Sequence, residues 1–150
     1  MKKRTFAMIK PDAVACHYTG QIITLIEKAG FRIIAQKMLR LTTSDTNKFY
    51  AVHSQRPFFR NLSLFMTSGP VVVMVLEKEN AIAEFRTLIG NTDPQAAPTG
   101  SIRKIFGQSK TRNAIHGSEN ALREIHFFFS EREIVPEPYR LPIPEAEIDS

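Results

Sequence analysis

The sequence predicts an α+β fold in which one four-stranded antiparallel sheet is covered by helices. Two observations lead to this prediction. Four short runs rich in apolar and β-branched residues are typical of strands, and helical patterns bounded by turn residues separate them. The resulting order is roughly β-α-β-(αα)-β-α-β. This order is typical of a split βαβ arrangement, so we expect a ferredoxin-like α/β sandwich.

The predicted strands are four runs of five to nine residues. They are TFAMI (5–9), FRIIAQKML (31–39), PVVVMVL (70–76) and IHFFF (125–129). The third is an almost continuous run of Val and Met, which indicates burial on both faces of the sheet.

Helical periodicity appears between these runs. In GQIITLIEKAG the apolar residues recur at positions i, i+3, i+4 and i+7, and Gly30 ends the helix. TTSDTNKFYAVH begins with Thr and Ser side chains that can cap a helix, and PFFRNLSLFMTSG has Pro57 at its start. In NAIAEFRTLIG one predicted apolar stripe contains Ile82, Phe85 and Ile89.

Composition indicates one domain followed by a tail. The 150 residues suffice for one hydrophobic core, and 43% hydrophobic and 23% charged residues are ordinary for a globular protein. From Pro136 onward the chain holds four of its nine prolines and much of its acid. We therefore predict a domain over residues 1–135 and an acidic, proline-rich C-terminal tail over residues 136–150.

Charge is distributed unevenly along the chain. The first 130 residues contain 18 basic and nine acidic side chains, whereas residues 131–150 contain two and six. A basic body favours a polyanionic partner, and charge alone leaves nucleotide, nucleic acid and an acidic surface open.

Sequence features also bear on location. No apolar run approaches the roughly 18 residues that a membrane helix needs, and the basic start lacks the apolar core of a signal peptide. The single Cys16 excludes an internal disulfide framework and fits a reducing compartment. We expect a cytoplasmic protein with no membrane partner.

The common phosphate and metal motifs are absent from the sequence. It contains neither G-x-x-x-x-G-K-[ST] nor G-x-G-x-x-G, and its cysteine and four histidines show no metal-ligand spacing. Any phosphate binding must therefore use side chains and helix ends. Lys10 is one candidate, because it ends the first predicted strand and Pro11 aims it off the end of the sheet. An ordinary surface lysine is the alternative.

Two arginines and a threonine border a long loop. Arg86 shares the apolar side of its predicted helix, so its guanidinium needs an anionic partner or a path to solvent. Thr92 opens the loop NTDPQAAPTGS, and Arg103 follows it. Singly, each is more often a surface side chain. Together with Lys10 they could supply the donors that a triphosphate needs when no phosphate loop exists.

Aromatic residues and one histidine complete the candidate site. Tyr50 and Phe58 could belong to the core, but a ring at a helix start, such as Phe58, could also stack on a base. His116 lies in RNAIHGSE close to Asn113, and Ser118 could cap the following helix. His116 is then either an anion-binding residue just outside a helix N-terminus or a turn histidine with one hydrogen bond.

RNAIHGSE resembles the R-N-x-x-H-G-S-D signature of nucleoside diphosphate kinases. Further segments are similar to family segments and follow the family's order: TFAMIKPDAV, FYAVHSQRPFF, SGPVVVMVLE and FRTLIGNTDPQAAPTGSIRKIFG. The resemblance spans about residues 4 to 135. It implies an enzyme that passes the γ-phosphoryl group of a nucleoside triphosphate, typically ATP, to a nucleoside diphosphate by a ping-pong mechanism.

The resemblance also implies roles for individual residues. His116 would be the nucleophile that becomes phosphohistidine, with Tyr50 beside it and Glu124 orienting it. Six residues would bind the nucleotide: Lys10 and Asn113 at the ribose and phosphates, Phe58 at the base, and Arg86, Thr92 and Arg103 at the terminal phosphates. Mg²⁺ would bridge the phosphates with few or no protein ligands. The expected assembly is a homo-oligomer, either a hexamer or a tetramer.

The sequence departs from the family pattern at three places. Glu119 stands where Asp is usual, Lys110 stands where an apolar residue is common, and the segment between HGS and REI is shorter by about three residues. A catalytically degenerate member that binds nucleotides or nucleic acid is the alternative from another functional class. A ferredoxin-like RNA-binding module is a weaker alternative, because neither FRIIAQKML nor PVVVMVL resembles its RNA-binding motif. We expect no nucleic-acid partner.

Overall fold

In a computed structural model, which describes residues 2–136, the chain forms one sheet with helices on both faces. The strands are β1 (Lys2–Ile9), β2 (Arg32–Leu39), β3 (Val71–Glu79) and β4 (Ile115–Gly117). The helices are α1 (Pro11–Ala15), α2 (Thr19–Lys28), α3 (Thr43–Phe49), α4 (Phe59–Met66), α5 (Ala81–Ile89), α6 (Ile102–Phe106) and α7 (Ala121–Phe128). Short 3₁₀ turns cover Ala51–His53, Pro94–Ala96 and Glu131–Glu133. Apart from Pro136, the predicted tail lies outside the described residues.

The strand order in the sheet is β2-β3-β1-β4, and every neighbouring pair is antiparallel. This arrangement confirms the predicted ferredoxin-like fold. β1 pairs with β3 along its whole length but with β4 at only three positions, where His116 lies opposite Met8. The first and last strands along the chain, β1 and β4, are therefore neighbours in the sheet.

The two faces of the sheet pack separate hydrophobic cores. Along β1, Phe6 and Met8 belong to one core and Ala7 and Ile9 to the other, as expected from the period of two in a strand. Residues 71–76 of β3 are all buried, which confirms the prediction that this strand is covered on both faces. None of the helices in residues 2–136 is long and apolar enough to cross a membrane.

The predicted strand at residues 125–129 is wrong, because residues up to Phe128 belong to α7. Ile125 and Phe128 are buried while His126 between them is exposed, which is a helical and not an alternating pattern. The fourth strand is the three-residue segment Ile115–Gly117. This strand is too short and too polar to be recognised as an apolar run.

The prediction that Ser118 caps the last helix is also wrong. Asn120 is the N-cap of α7, and its side-chain oxygen accepts the backbone N–H of Arg123 at 3.2 Å. Ser118 instead binds β1, accepting from the Phe6 N–H at 3.0 Å and donating to the Phe6 carbonyl at 3.1 Å. These bonds extend the docking of the β4 segment onto β1. His116 therefore lies within β4 and not directly outside a helix N-terminus.

The predicted apolar stripe of α5 is partly wrong. Phe85 and Ile89 are buried as expected, but Ile82 is 39% exposed and Ala81 takes its place in the core. Arg86 consequently lies on the exposed side of α5 and not on its apolar side.

Candidate active site

β4 holds His116 at the edge of the sheet among aromatic rings. The side chain of His116 is 19% exposed. The imidazole centroid lies 5.5 Å from the ring of Phe49, 6.1 Å from that of Phe6 and 6.3 Å from that of Tyr50, all in edge-on arrangements. These contacts restrict the orientation of the imidazole while part of it stays open to solvent.

Glu124, in the first turn of α7, binds one nitrogen of this imidazole. Its Oε1 lies 2.6 Å from His116 Nε2, and its Oε2 accepts the backbone N–H groups of Glu119 and Asn120 at 3.0 and 2.9 Å. Burial opposes the charge on Glu124, but the hydrogen bonds from His116 and the two N–H groups outweigh it and hold the pKa below its usual value. An ionised carboxylate at Nε2 favours the imidazole proton there and leaves the lone pair on Nδ1.

The short segment between His116 and α7 is what brings Glu124 into place. Because Glu119 and Asn120 donate to the carboxylate, the connecting segment itself closes around the side chain. The shortening relative to the family pattern therefore leaves the contact between Glu124 and His116 intact.

Two clefts meet at His116. The first, which we call the aromatic cleft, has a volume of about 420 Å³ and is lined by Phe49, Tyr50, Ala51, Val52, His53, Phe58, Leu62, His116, Glu119, Asn120, Arg123 and Glu124. The second, the arginine cleft, has a volume of about 390 Å³ and is lined by Arg86, Ile89, Gly90, Asn91, Thr92, Arg103, His116, Gly117 and Glu119. A ligand with an anionic end and a flat apolar end would find complementary walls on the two sides of the histidine.

The two arginines of the arginine cleft are each tied to the backbone beside His116. Arg103 donates from Nη2 to the Ile115 carbonyl at 2.8 Å and from Nη1 to the Gly90 carbonyl at 3.1 Å. Arg86 donates from Nη2 to the Ser118 carbonyl at 3.2 Å. Burial lowers the pKa of Arg103 to about 10, so the group remains charged at neutral pH. Its buried Nε has no hydrogen-bond partner among the described residues.

Lys10 and Asn113 form a buried pair behind the arginine cleft. The Lys10 ammonium donates to Asn113 Oδ1 at 2.8 Å and to the Thr111 carbonyl at 2.7 Å. Asn113 Nδ2 in turn donates to the Thr92 carbonyl at 3.0 Å, which links the pair to the cleft wall. Burial lowers the pKa of Lys10 to about 8, although the charge of Asp12 opposes this.

The aromatic cleft contains Tyr50 and Phe58 in different environments. Tyr50 is buried, and burial together with the negative charges of Glu124 and Glu119 raises the pKa of its phenol. The phenol therefore keeps its proton at neutral pH. Phe58 is 48% exposed, with its ring 5.7 Å from that of His53, so one face is available to a planar ligand.

Comparison with known proteins identifies the family that carries this arrangement. The sequence model described as nucleoside diphosphate kinase matches residues 3–134. The chain belongs to the nucleoside diphosphate kinase family. Phosphoryl transfer between nucleotides is the activity of this family, and the chain is an enzyme of that class.

Individual nucleoside diphosphate kinases are similar to this chain over most of their length. The chain is 54% identical over 136 residues to the nucleoside diphosphate kinase of Prosthecochloris aestuarii, which covers 89% of this chain and 96% of the relative. The Aquifex aeolicus enzyme superposes with a TM-score of 0.88 at 45% identity, covering 90% of this chain and all of the other. A Halobacterium salinarum enzyme solved with CDP superposes with a TM-score of 0.88 at 40% identity, covering 93% and 95%.

The structure brings seven of the nine predicted site residues to the two clefts. The aromatic cleft takes Tyr50, Phe58, His116 and Glu124, and the arginine cleft takes Arg86, Thr92, Arg103 and again His116. Lys10 and Asn113 line neither cleft and connect to the site through Thr92. Within residues 2–136 no three His, Cys, Asp or Glu side chains come together to hold a metal ion.

Sequence reasoning about the nucleoside diphosphate kinase site did not include Arg123. Its Nη2 donates to the carbonyls of Lys48 and Phe49 at 2.6 and 3.2 Å, and its guanidinium lies 5.8 Å from the centre of the Phe49 ring. Arg123 thus ties α7, which carries Glu124, to the end of α3. Only its position next to Glu124 could have indicated this contact.

Proposed function

We propose that the chain transfers the γ-phosphoryl group of a nucleoside triphosphate, typically ATP, to a nucleoside diphosphate through a phosphohistidine at His116. The observation that carries the proposal is the position of His116 where the aromatic and arginine clefts meet, with Nε2 bound to Glu124. A nucleotide whose base lies in one cleft and whose phosphates lie in the other presents its terminal phosphorus to this imidazole.

The proposed chemistry uses the free nitrogen of His116. Glu124 accepts a hydrogen bond from Nε2–H, so the proton stays on Nε2 and the lone pair of Nδ1 attacks the γ-phosphorus in line while the bond to the bridging oxygen breaks. That oxygen keeps the electron pair and leaves with the nucleoside diphosphate. A second nucleoside diphosphate then attacks the phosphohistidine in the reverse geometry. One site therefore serves donor and acceptor in turn, which produces ping-pong kinetics.

The cations of the arginine cleft stabilise the transferring group. In this proposal Arg86, Thr92 and Arg103 bind the terminal phosphates. Since the arginines are already held by backbone carbonyls on either side of His116, little reorganisation is needed when charge develops on the equatorial oxygens. Tyr50 keeps its phenolic proton and packs edge-on against the imidazole, and we propose that it helps to hold the ring in place.

The rest of the nucleotide is bound by groups farther from the reacting atoms. We propose that Lys10 and Asn113 contact the ribose and inner phosphates and that the exposed face of Phe58 stacks on the base. Stacking contributes on the order of 1–3 kcal/mol and does not depend on base-edge hydrogen bonds. Broad tolerance of the base follows from this mode of binding.

Mg²⁺ fits the site as a companion of the nucleotide. The donor set has one exposed carboxylate between the clefts, Glu119, which could reach such an ion directly or through water. Mg²⁺ bound to the phosphates would neutralise part of their charge. The protein groups derived above would perform binding, orientation and nucleophilic attack.

Assembly and location belong to the same proposal. We propose that the chain works as a homo-oligomer, a hexamer or a tetramer, in the cytoplasm. The free, exposed thiol of Cys16 suits a reducing compartment.

Incubation with γ-labelled ATP and Mg²⁺ tests the proposed function. We expect one acid-labile phosphoryl group per chain, its release on addition of GDP, and formation of labelled GTP. Intact-protein mass and nucleotide chromatography measure these steps. A chain that binds nucleotide but takes up no label is the degenerate binding protein, and the proposal is then wrong.

Nucleotide affinity is expected to fall as pH rises through about 8. In the free protein, burial lowers the pKa of Lys10 to about 8. Because bound phosphates favour the charged form, Lys10 must take up a proton to bind them above this pH, and this uptake costs affinity. Calorimetric titration with ADP from pH 7.5 to 9.5, at roughly constant phosphate charge, measures the effect. Lys10→Gln should bind weakly with a flat profile, and Lys104→Gln, at an exposed lysine, should keep the wild-type profile. A flat wild-type profile contradicts the assignment.

A further inference from the structure

A backbone turn in an unusual conformation separates Asn113 from His116. Ala114 has φ of 74°, in the left-handed region that non-glycine residues seldom adopt, and it is completely buried. The Ile115 N–H donates to the Asn113 carbonyl at 2.9 Å across this residue, which closes a three-residue turn. Such a conformation persists only where surrounding contacts determine it.

Both backbone groups of Ala114 are bound by the junction of β1 and α1. Asp12 Oδ2 accepts the Ala114 N–H at 3.1 Å, and the Lys10 N–H donates to the Ala114 carbonyl at 2.8 Å. These contacts join residues about one hundred positions apart in the chain. The turn between Asn113 and His116 is therefore fixed from outside its own segment.

The carboxylate of Asp12 is used in this way although its burial is unfavourable. Asp12 is 9% exposed, and its Oδ1 has no hydrogen-bond partner among the described residues. Burial raises its pKa, while Lys10 and the Ala114 N–H oppose that change. Within residues 2–136 the Lys10 ammonium donates to Asn113 and Thr111, not to this carboxylate. Backbone N–H groups of Asp12 and Ala13, at the start of α1, also lower its pKa, and the bond to Ala114 is the one that connects the carboxylate to a distant segment of the chain.

We infer that Asp12 is a positioning residue, whose hydrogen bond to Ala114 holds the left-handed turn that sets Asn113 and His116 in register for phosphoryl transfer. The inference rests on the proposed function. Asp12 lines neither of the two clefts and acts through the backbone. If the turn is what matters, a residue that adopts positive φ without help should make Asp12 dispensable.

Four variants separate this role from general structural support. In Asp12→Ala, a buried N–H loses its acceptor, so we expect phosphorylation of His116 by ATP to slow about tenfold or more in single-turnover quench experiments. Asp12→Asn keeps an acceptor and should stay within about threefold of wild type. Ala114→Gly should remain near wild type, and Asp12→Ala/Ala114→Gly should recover to within about threefold of Ala114→Gly, because glycine accepts positive φ at no steric cost.

Any one of three results overturns the role of Asp12. A double variant as slow as Asp12→Ala, an Asp12→Asn as slow as Asp12→Ala, or an Asp12→Ala with wild-type rate overturns it. If Asp12→Ala does not fold, the double variant carries the test alone, and its failure to fold or to phosphorylate overturns the inference.

Hydrogen exchange of the peptide spanning residues 112–117 supplies a readout independent of activity. Exchange should rise in Asp12→Ala and fall back part of the way toward the Ala114→Gly level in the double variant, where glycine accepts the turn but the residue-114 N–H still lacks the Asp12 acceptor. Absence of label on the wild type would refute the proposed function, whereas an unchanged exchange pattern would refute the role of Asp12.

Discussion

Replacement of His116 by alanine is expected to abolish the phosphoenzyme and to reduce turnover by at least about 10⁴-fold, as loss of a covalent nucleophile does in other enzymes. His116 is shared by both clefts, and its Nδ1 is the nitrogen left with a lone pair when Glu124 binds Nε2. The mass of the intact protein after incubation with ATP and the rate of GTP formation from GDP measure the two effects.

His126 offers a matched control for this experiment. Its Nε2 lies 3.2 Å from Glu131 Oε1, so it forms a second histidine–glutamate pair, but the pair is exposed and lines neither of the clefts. His126→Ala should keep wild-type labelling and turnover. Labelling of His116→Ala, or loss of labelling in His126→Ala, contradicts the assignment. Because the His116 ring packs against Phe6 and Phe49, thermal melting of each variant should accompany the assay.

Replacement of Glu124 by alanine is expected to lower the rate of His116 phosphorylation by about 100-fold or more. Without the carboxylate, the imidazole is no longer held in the tautomer that has its proton on Nε2 and its lone pair on Nδ1. Three donors, His116 Nε2 and the N–H groups of Glu119 and Asn120, lose their acceptor together. Single-turnover labelling by ATP measures the change. Glu131→Ala, at the exposed pair, should leave the rate unchanged.

Acid sensitivity gives a second measurement of the same contact. The folded-state pKa of Glu124 is below its ordinary value of 4.5, so its contribution to stability is complete above that value and is lost as pH falls through the folded pKa. Glu124→Gln should be less stable than wild type to urea at neutral pH, and the difference should shrink in acid. A difference that does not change with pH contradicts the charge state assigned to Glu124.

Much of the fold could be predicted because local patterns reflect burial. The run of Val and Met in β3 and the periodicity of α2 each indicate their element correctly. The segment Ile125–Phe129 was wrongly predicted as a strand because β-branched and aromatic residues favour strands. Residues up to Phe128 instead belong to α7, the helix that carries Glu124, and are buried with helical periodicity. Tertiary packing overrode local preference there.

Most of the residues predicted for the site lie at the two clefts, but the contacts that join them could not be predicted. The hydrogen bond between Lys10 and Asn113 joins residues 103 positions apart, and the sequence around either residue does not indicate the other. The positive φ of Ala114 could not be predicted either, since alanine is not a residue that favours turns. The family resemblance indicated the candidate site residues, whereas the contacts of Asp12 and Arg123 became apparent only from the fold.

The pairing of β1 with β4 also has a consequence for synthesis of the protein. Lys10 and Asp12 leave the ribosome long before the segment that carries Asn113, His116 and Glu124. We therefore expect a nascent chain to be inactive until almost the whole domain has emerged and β1 has paired with β4. Contacts this distant in sequence are slow to form, so we expect activity to recover after dilution from denaturant more slowly than helices appear.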